Sequence, residues 1–583
     1  MPPDAAGAPA DVSIELFLSP DGAHQSLRRG LSGSALAVAP GADAPHDARA
    51  KPSVGESFPN PGGDQASLRD QGWGVIAPLG EAGDRLLALA RPLIERRAAE
   101  QECEVDEVPI YRVPPDLTAV EATAWIDRQL VGNKLFDEVP WYLLVLGRPD
   151  EVSFELQQAL GGGFCAGRLG FDADAGYEAY IDKLLRSERA PPRLPKAVYF
   201  TARDGTPATE LGRRLLMLPC IADAEQQRAA GKFDVADLVA IEDDDPAGAA
   251  DRLLAAAADA GVVFSCSHGA GAPSEGWSSA AVRAAQQGAV CLGRGQRLET
   301  QAVGSARFAP GGMWVMFACF GAGTPRTSAY QHWLRRLAEI GEHSGDLAPV
   351  MASLPREGEP AFLAALPQAA LANPDGPLAV VGHLDLAWSY GFCDVDKMSR
   401  GERHRRFHEL VAMLVRGTRV GLSLGGSLMR ARSQIHDEIV AVADQAAAAP
   451  DDDPRLRFGH RWLVRQDLSG YIALGDPAAR LVVPDRSEAR PGRLAEHAAG
   501  AASRAAPEIA PAAAPAISAE DIEAAVHALI AGLATPDELA ARLGATTAAV
   551  AEWRRVYTDA GRRALAELVA AAGSPPRSPG SGR

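Results

Sequence analysis

The stretches VVFSCSHGAG (262–271) and WVMFACFGAGT (314–324) decide the fold. Each is a short apolar run closed by one reactive side chain and then by glycine. Runs of this length without polar alternation fit strands covered on both faces, which belong in the middle of a parallel sheet. LAVVGHL (378–384) is a third of the same kind. In such a sheet the carboxyl ends of neighbouring strands open onto one crevice, where ligands and reacting side chains collect. With the first two strands as neighbours, His268 and Cys319 face each other across it.

That pairing has a chemical use. Thiolate is the nucleophile, and an adjacent imidazole both favours it and returns a proton to a leaving amine. The glycines beside each residue let a peptide backbone lie over the site without a side chain in the way. The backbone N–H groups of Gly269 and Cys319 are the natural oxyanion donors, worth about 3 kcal/mol for one such contact.

Outward from this centre the texture alternates. WGVIAPL (73–79), VPIYRV (108–113), WYLLVLG (141–147) and AVYFTA (197–202) read as strands, with helices predicted over 84–100, 120–130, 178–188, 209–216, 249–260 and 408–416. This predicts an α/β fold with a mostly parallel sheet flanked by helices. YIALGDPAARLVV (471–483) reads as a last strand, a turn and a short edge strand. Residues 1–72, rich in Pro, Gly, Ala and Asp, read as a flexible arm whose one strand candidate is VSIELFL (12–18). Residues 73–195 and 196–485 are the expected α/β subdomains, the second carrying the dyad. A linker over 486–517, a small all-α domain over 518–573 and a tail over 574–583 follow. Within the all-α domain, PDELAARLG (536–544) and TTAAVAEWRRVY (546–557) read as a helix-turn-helix.

A chain of 583 residues has room for two or three folded units. Its net charge of −17 argues against a surface built mainly for nucleic acid. The seven cysteines include no CxxC pair and no histidine at metal-ligand spacing, so disulfides, a metal and cofactors are not expected. No signal sequence or apolar span is legible, and a cytoplasmic location is expected.

A strand ending in His-Gly, followed about 50 residues later by a strand ending in Ala-Cys and a glycine, resembles the dyad of the caspase-type cysteine peptidases. The wider sequence is similar to the gingipain branch and its bacterial relatives. WYLLVLGRPDEVSFELQ (141–157), CAGRLGFDADAGYEAYIDKLL (165–185) and YIALGDPAARL (471–481) resemble, in that order, a strand and turn, a strand and helix, and the closing segment of that group. The likeness runs from about Trp73 to Pro484. It implies a caspase-like fold, peptide-bond hydrolysis and the catalytic dyad Cys319 and His268. The turn RPDEVSF departs from the relatives, and no segment fixing the side chain before the cut bond (P1) is matched.

Asp385 and Trp388, in GHLDLAWSYGF (382–392), are the candidates for that pocket, an arrangement suited to a basic P1 residue. The loop VAIEDDDP (239–246) is a second acidic candidate. Cys266 shares a strand face with His268 and reads as inert core. His383 reads as a satisfied core histidine. A basic P1 preference would make Arg486, Arg490, Arg493 and Arg504 self-cleavage sites. The expected partner is a protein or peptide substrate, with regulatory protein or DNA at the C-terminal helices. Two rival readings are a catalytically silent scaffold and a DNA-binding regulator.

Overall fold

The computed structural model describes residues 14–27, 30–31, 35, 59–60, 63–132, 139–242, 248–341, 347–393, 403–445 and 454–484. Beyond these it describes only 522, 536–543, 545–546, 549–550 and 553. Two compact units emerge, Met1–Ala489 and Arg490–Arg583.

Ten strands of the first unit form one sheet. They are β1 (Trp73–Pro78), β2 (Ile110–Val113), β3 (Tyr142–Leu146), β4 (Cys165–Leu169), β5 (Lys196–Thr201), β6 (Asp237–Ile241), β7 (Val262–Cys266), β8 (Met313–Phe317), β9 (Ala379–His383) and β10 (Tyr471–Gly475). Their order is β2-β1-β3-β4-β10-β9-β8-β7-β5-β6. Neighbours are parallel throughout except β9 and β10, which pair antiparallel from Ala379 opposite Gly475 to His383 opposite Tyr471. The sheet is thus two parallel halves pointing in opposite directions, joined at one antiparallel seam. The carboxyl ends of β5, β7, β8 and β9 therefore open on the same edge.

Burial explains the pattern. The inner strands YLLVL, VVFSC and MWVMF are buried at every residue, as a sheet covered on both faces requires. The helix Gly80–Gln101 lays Leu86, Ala90, Leu93 and Ala98 on the core at helical spacing. Behind the two central strands lies the helix Arg405–Val415. Its Phe407 stacks on Phe264 of β7 and meets Phe317 of β8 edge-on, with ring centroids 6.1 and 5.6 Å away.

Four expectations change. The edge strand β6 stands where an acidic loop was expected to begin, and its half-exposed residues explain the weak apolar signal. β10 is the last strand along the chain among the described residues, as expected, and sits in the middle of the sheet, but the short edge strand expected after its turn is absent, since residues 481–483 form no strand. The helix expected over 209–216 is Pro207–Gly212, widening over Arg213–Met217 into Leu218–Ala229. The reading of 1–72 as a flexible arm does not hold for its described part, because Ile14, Leu16, Phe17 and Leu18 are wholly buried. No helix among the described residues is long and apolar enough to cross a membrane.

In the second unit, Pro536–Leu543 is a helix, and Thr546 Oγ1 accepts the Ala549 N–H as a cap does. Leu539, Ala540 and Val550 form its described core, with Trp553 packed against it. The linker, the tail, Arg554 and Arg555, the acidic residues 243–245 and the linker arginines lie outside the described residues.

Candidate active site

β7 and β8 are hydrogen-bonded neighbours with Cys266 opposite Phe317, so His268 and Cys319 leave the same sheet edge side by side. Both are fully buried. His268 Nε2 lies 2.8 Å from Thr206 Oγ1 and 3.5 Å from Asp204 Oδ2. Its Nδ1 has no hydrogen-bond partner among the described residues. With the Nε2 proton directed at these oxygens, Nδ1 is left as the basic nitrogen. Burial lowers the imidazole pKa, and the charge of Asp204 and the nearby Phe17 backbone oppose that shift.

Asp204 and Thr206 escaped the sequence reading. They lie in ARDGTP, directly after β5, and β5 is the other neighbour of β7. An acid three residues past a central strand was the available signal. Asp204 is itself fixed, because Oδ1 accepts from Thr209 Oγ1 at 2.6 Å and from the Thr206 N–H at 3.0 Å.

The Cys319 thiol is raised well above its ordinary pKa by burial. Its sulfur accepts the Ala387 N–H at 3.1 Å and lies 3.6 Å from the Ala387 carbonyl. The N–H groups of Gly269 and Cys319 converge on one oxygen, the carbonyl of Phe17, at 2.9 and 3.3 Å. Gly269 is required there by space alone. A Cβ on it would stand 1.9 Å from the Cys319 carbonyl oxygen.

Asp385 enters the same edge from the end of β9, but its carboxylate is spent on its own surroundings. Oδ1 accepts from Ser328 Oγ and the Leu386 N–H, both at 2.8 Å, and Oδ2 accepts from the Ala329 N–H at 2.9 Å. Burial pushes its pKa up to about 7. Trp388 is buried in an aromatic cluster, stacked on Tyr390 and edge-on to Trp333. Cys266 is buried below His268, its thiol also raised by burial. Among the described residues no cluster of His, Cys, Asp and Glu could hold a metal ion.

No protein-family model matches the chain, and no curated protein sequence matches it. Two solved structures do. One, titled "Structure of Protease", has a TM-score of 0.40 at 12% identity and covers 70% of this chain and 78% of that one. The other, titled "Complex of Porphyromonas gingivalis RgpB pro- and mature domains", has a TM-score of 0.36 at 13% identity and covers 71% of this chain and 81% of that one. Likeness at this level assigns no activity.

Proposed function

We propose that this chain is a cysteine peptidase, with Cys319 as nucleophile and His268 as general base and acid. The observation that carries the reading is the convergence of two backbone N–H groups, one from the nucleophile itself, on a single peptide carbonyl oxygen. Donors arranged in this way stabilise charge that develops on an acyl oxygen, the largest single contribution in acyl transfer.

The chemistry follows from the side chains. Nδ1 of His268 takes the thiol proton, and the sulfur adds to the substrate carbonyl carbon as the oxygen becomes anionic between Gly269 and Cys319. The imidazolium, held by Thr206 and Asp204, gives its proton to the departing amine, and the carbon–nitrogen bond breaks. Water then hydrolyses the thioester, releasing the acid and restoring the thiol. Asp204 acts through His268 as a positioning residue.

The test is a fluorogenic peptide library scanned at P1, with wild type and Phe17→Asp each compared with its Cys319→Ala counterpart. Hydrolysis lost on removing the thiol supports the reading. Absence of thiol-dependent cleavage and of labelling by thiol-directed peptidyl probes, in folded protein, refutes it.

A further inference from the structure

The oxygen between Gly269 and Cys319 belongs to the chain's own N-terminal segment, and that segment crosses the whole site in extended form. Phe17 N–H donates to the Ala387 carbonyl at 3.1 Å, and the Ser389 N–H donates to the Glu15 carbonyl at 2.9 Å. Glu15 N–H returns to Ser389 Oγ at 2.9 Å. Past the dyad, Leu18 and Ser19 pair in parallel with Gly269 and Ala270, and the Gly271 N–H donates to Ser19 O at 2.7 Å. Backbone pairing on both sides is how a track holds an extended peptide of any sequence.

Side-chain discrimination lies in one place. The Phe17 ring is fully buried, 4.8 Å from Phe317, 5.8 Å from Phe392 and 5.9 Å from His268 between centroids. Gly212 leaves the remaining space, since a Cβ there would come within 3.1 Å of the ring and 2.9 Å of Cys266 Sγ. None of these lining groups is a carboxylate, and Asp385 is occupied elsewhere. The segment is also anchored outside the track, by paired backbone bonds between Ile14 and Leu31 and by Gln25 Nε2 on Glu15 at 2.7 Å.

We propose that residues Glu15–Ser19 lie in the peptide track of the Cys319 site as an internal ligand that closes it, and that the pocket filled by Phe17 selects a large apolar side chain at P1. The P1 half rests on the peptidase reading; the closure rests on the hydrogen bonds alone. A free substrate enters only after this segment leaves.

The experiment uses the full chain as wild type, Phe17→Asp and Phe17→Ala, each checked for fold by circular dichroism. Alkylation of Cys319 is followed by peptide mapping with iodoacetamide and with two peptidyl acyloxymethyl ketones carrying Phe or Lys at P1. In the variants, labelling by iodoacetamide and by the Phe probe is expected to rise at least about tenfold, with the Phe probe faster than the Lys probe by a similar factor. A synthetic peptide of residues 12–20 is expected to slow the Phe probe, and the same peptide with Asp in place of Phe17 is not. Wild-type rates in folded variants, or failure of both variants to fold, overturn the closure. A Lys probe at least as fast as the Phe probe overturns the apolar P1. Variants that take iodoacetamide faster yet accept no peptidyl probe and cut no peptide keep the closure and remove the peptidase.

Discussion

At the scale of single residues, the site depends on which nitrogen of His268 is free. Thr206 and Asp204 engage Nε2, and Nδ1, with the Phe17 backbone near the ring, makes no full hydrogen bond among the described residues, so the imidazole is supported from the Nε2 side. Asp204→Asn keeps the shape and removes the charge that favours the imidazolium. We expect kcat to fall at least about tenfold with KM little changed. The acid limb of the pH profile, where the imidazolium loses its proton and becomes the base, moves to lower pH in the same variant. A purely structural role for Asp204 would leave that limb in place. Gly269→Ala is harsher. The added methyl has to displace the Cys319 carbonyl, which misdirects both N–H donors, and a loss of about 10²-fold in kcat is expected from steady-state assay. Cys319 and His268 were legible because each closes an apolar run. Asp204 was not, since one acid in a Gly- and Thr-containing loop looks like any turn until β5 is known to lie beside β7.

At the scale of elements, the end of β9 shows a histidine used for structure. His383 Nδ1 accepts the Asp385 N–H at 3.0 Å, and Nε2 lies 2.8 Å from the Asp467 carbonyl. Nδ1 also lies 2.8 Å from the Asp385 carbonyl; the two carbonyls favour the charged ring, but burial outweighs them and lowers its pKa to about 4. The Asp467 carboxyl, 3.7 Å away, is itself held well above the usual carboxylate range by burial. The sign follows. Between about pH 6.5 and 4 the unfolded chain binds a proton that the folded ring refuses, so this contribution is complete above 6.5 and is lost on acidification toward 4. It amounts to something on the order of 3 kcal/mol. Urea midpoints of wild type and His383→Gln are expected to differ in their pH dependence across that window and to run parallel above it. The ring's core role was readable from its strand-end setting. The placement of β10 beside it was not, because a buried five-residue strand carries no mark of which neighbour it joins or in which direction.

At the scale of the whole first unit, one acid ties the two halves of the sheet together. Asp476 directly follows β10. Its Oδ2 accepts from Arg97 Nε and Nη2 at 2.9 and 2.6 Å, and its Oδ1 from the Trp73 indole at 3.0 Å. Arg97 rides on Gly80–Gln101 and Trp73 opens β1, so these bonds hold the amino-terminal half. The Asp476 N–H donates to Tyr180 Oη at 2.7 Å, and that hydroxyl donates to the Leu378 carbonyl at the start of β9, in the other half. From sequence the Gly-Asp-Pro segment is a turn after a last strand. Its weight in the fold comes from partners hundreds of residues away, which periodicity cannot report. Asp476→Ala removes the carboxylate that Arg97 faces with two of its nitrogens and leaves the Trp73 N–H unpaired, while Glu188 and Glu100 still face the guanidinium. Breaking a buried pair from one side costs about 3–5 kcal/mol. The Asp476 N–H keeps its bond to Tyr180 in this variant, and the sheet is continuous through β10, so unfolding of the amino-terminal half carries the other with it. Urea unfolding followed by far-UV circular dichroism and by iodoacetamide access to Cys319 is expected to shift to lower urea equally for both signals. If Cys319 becomes reactive well before the helices melt, the seam yields first, and the halves behave as separate folding units joined by β10.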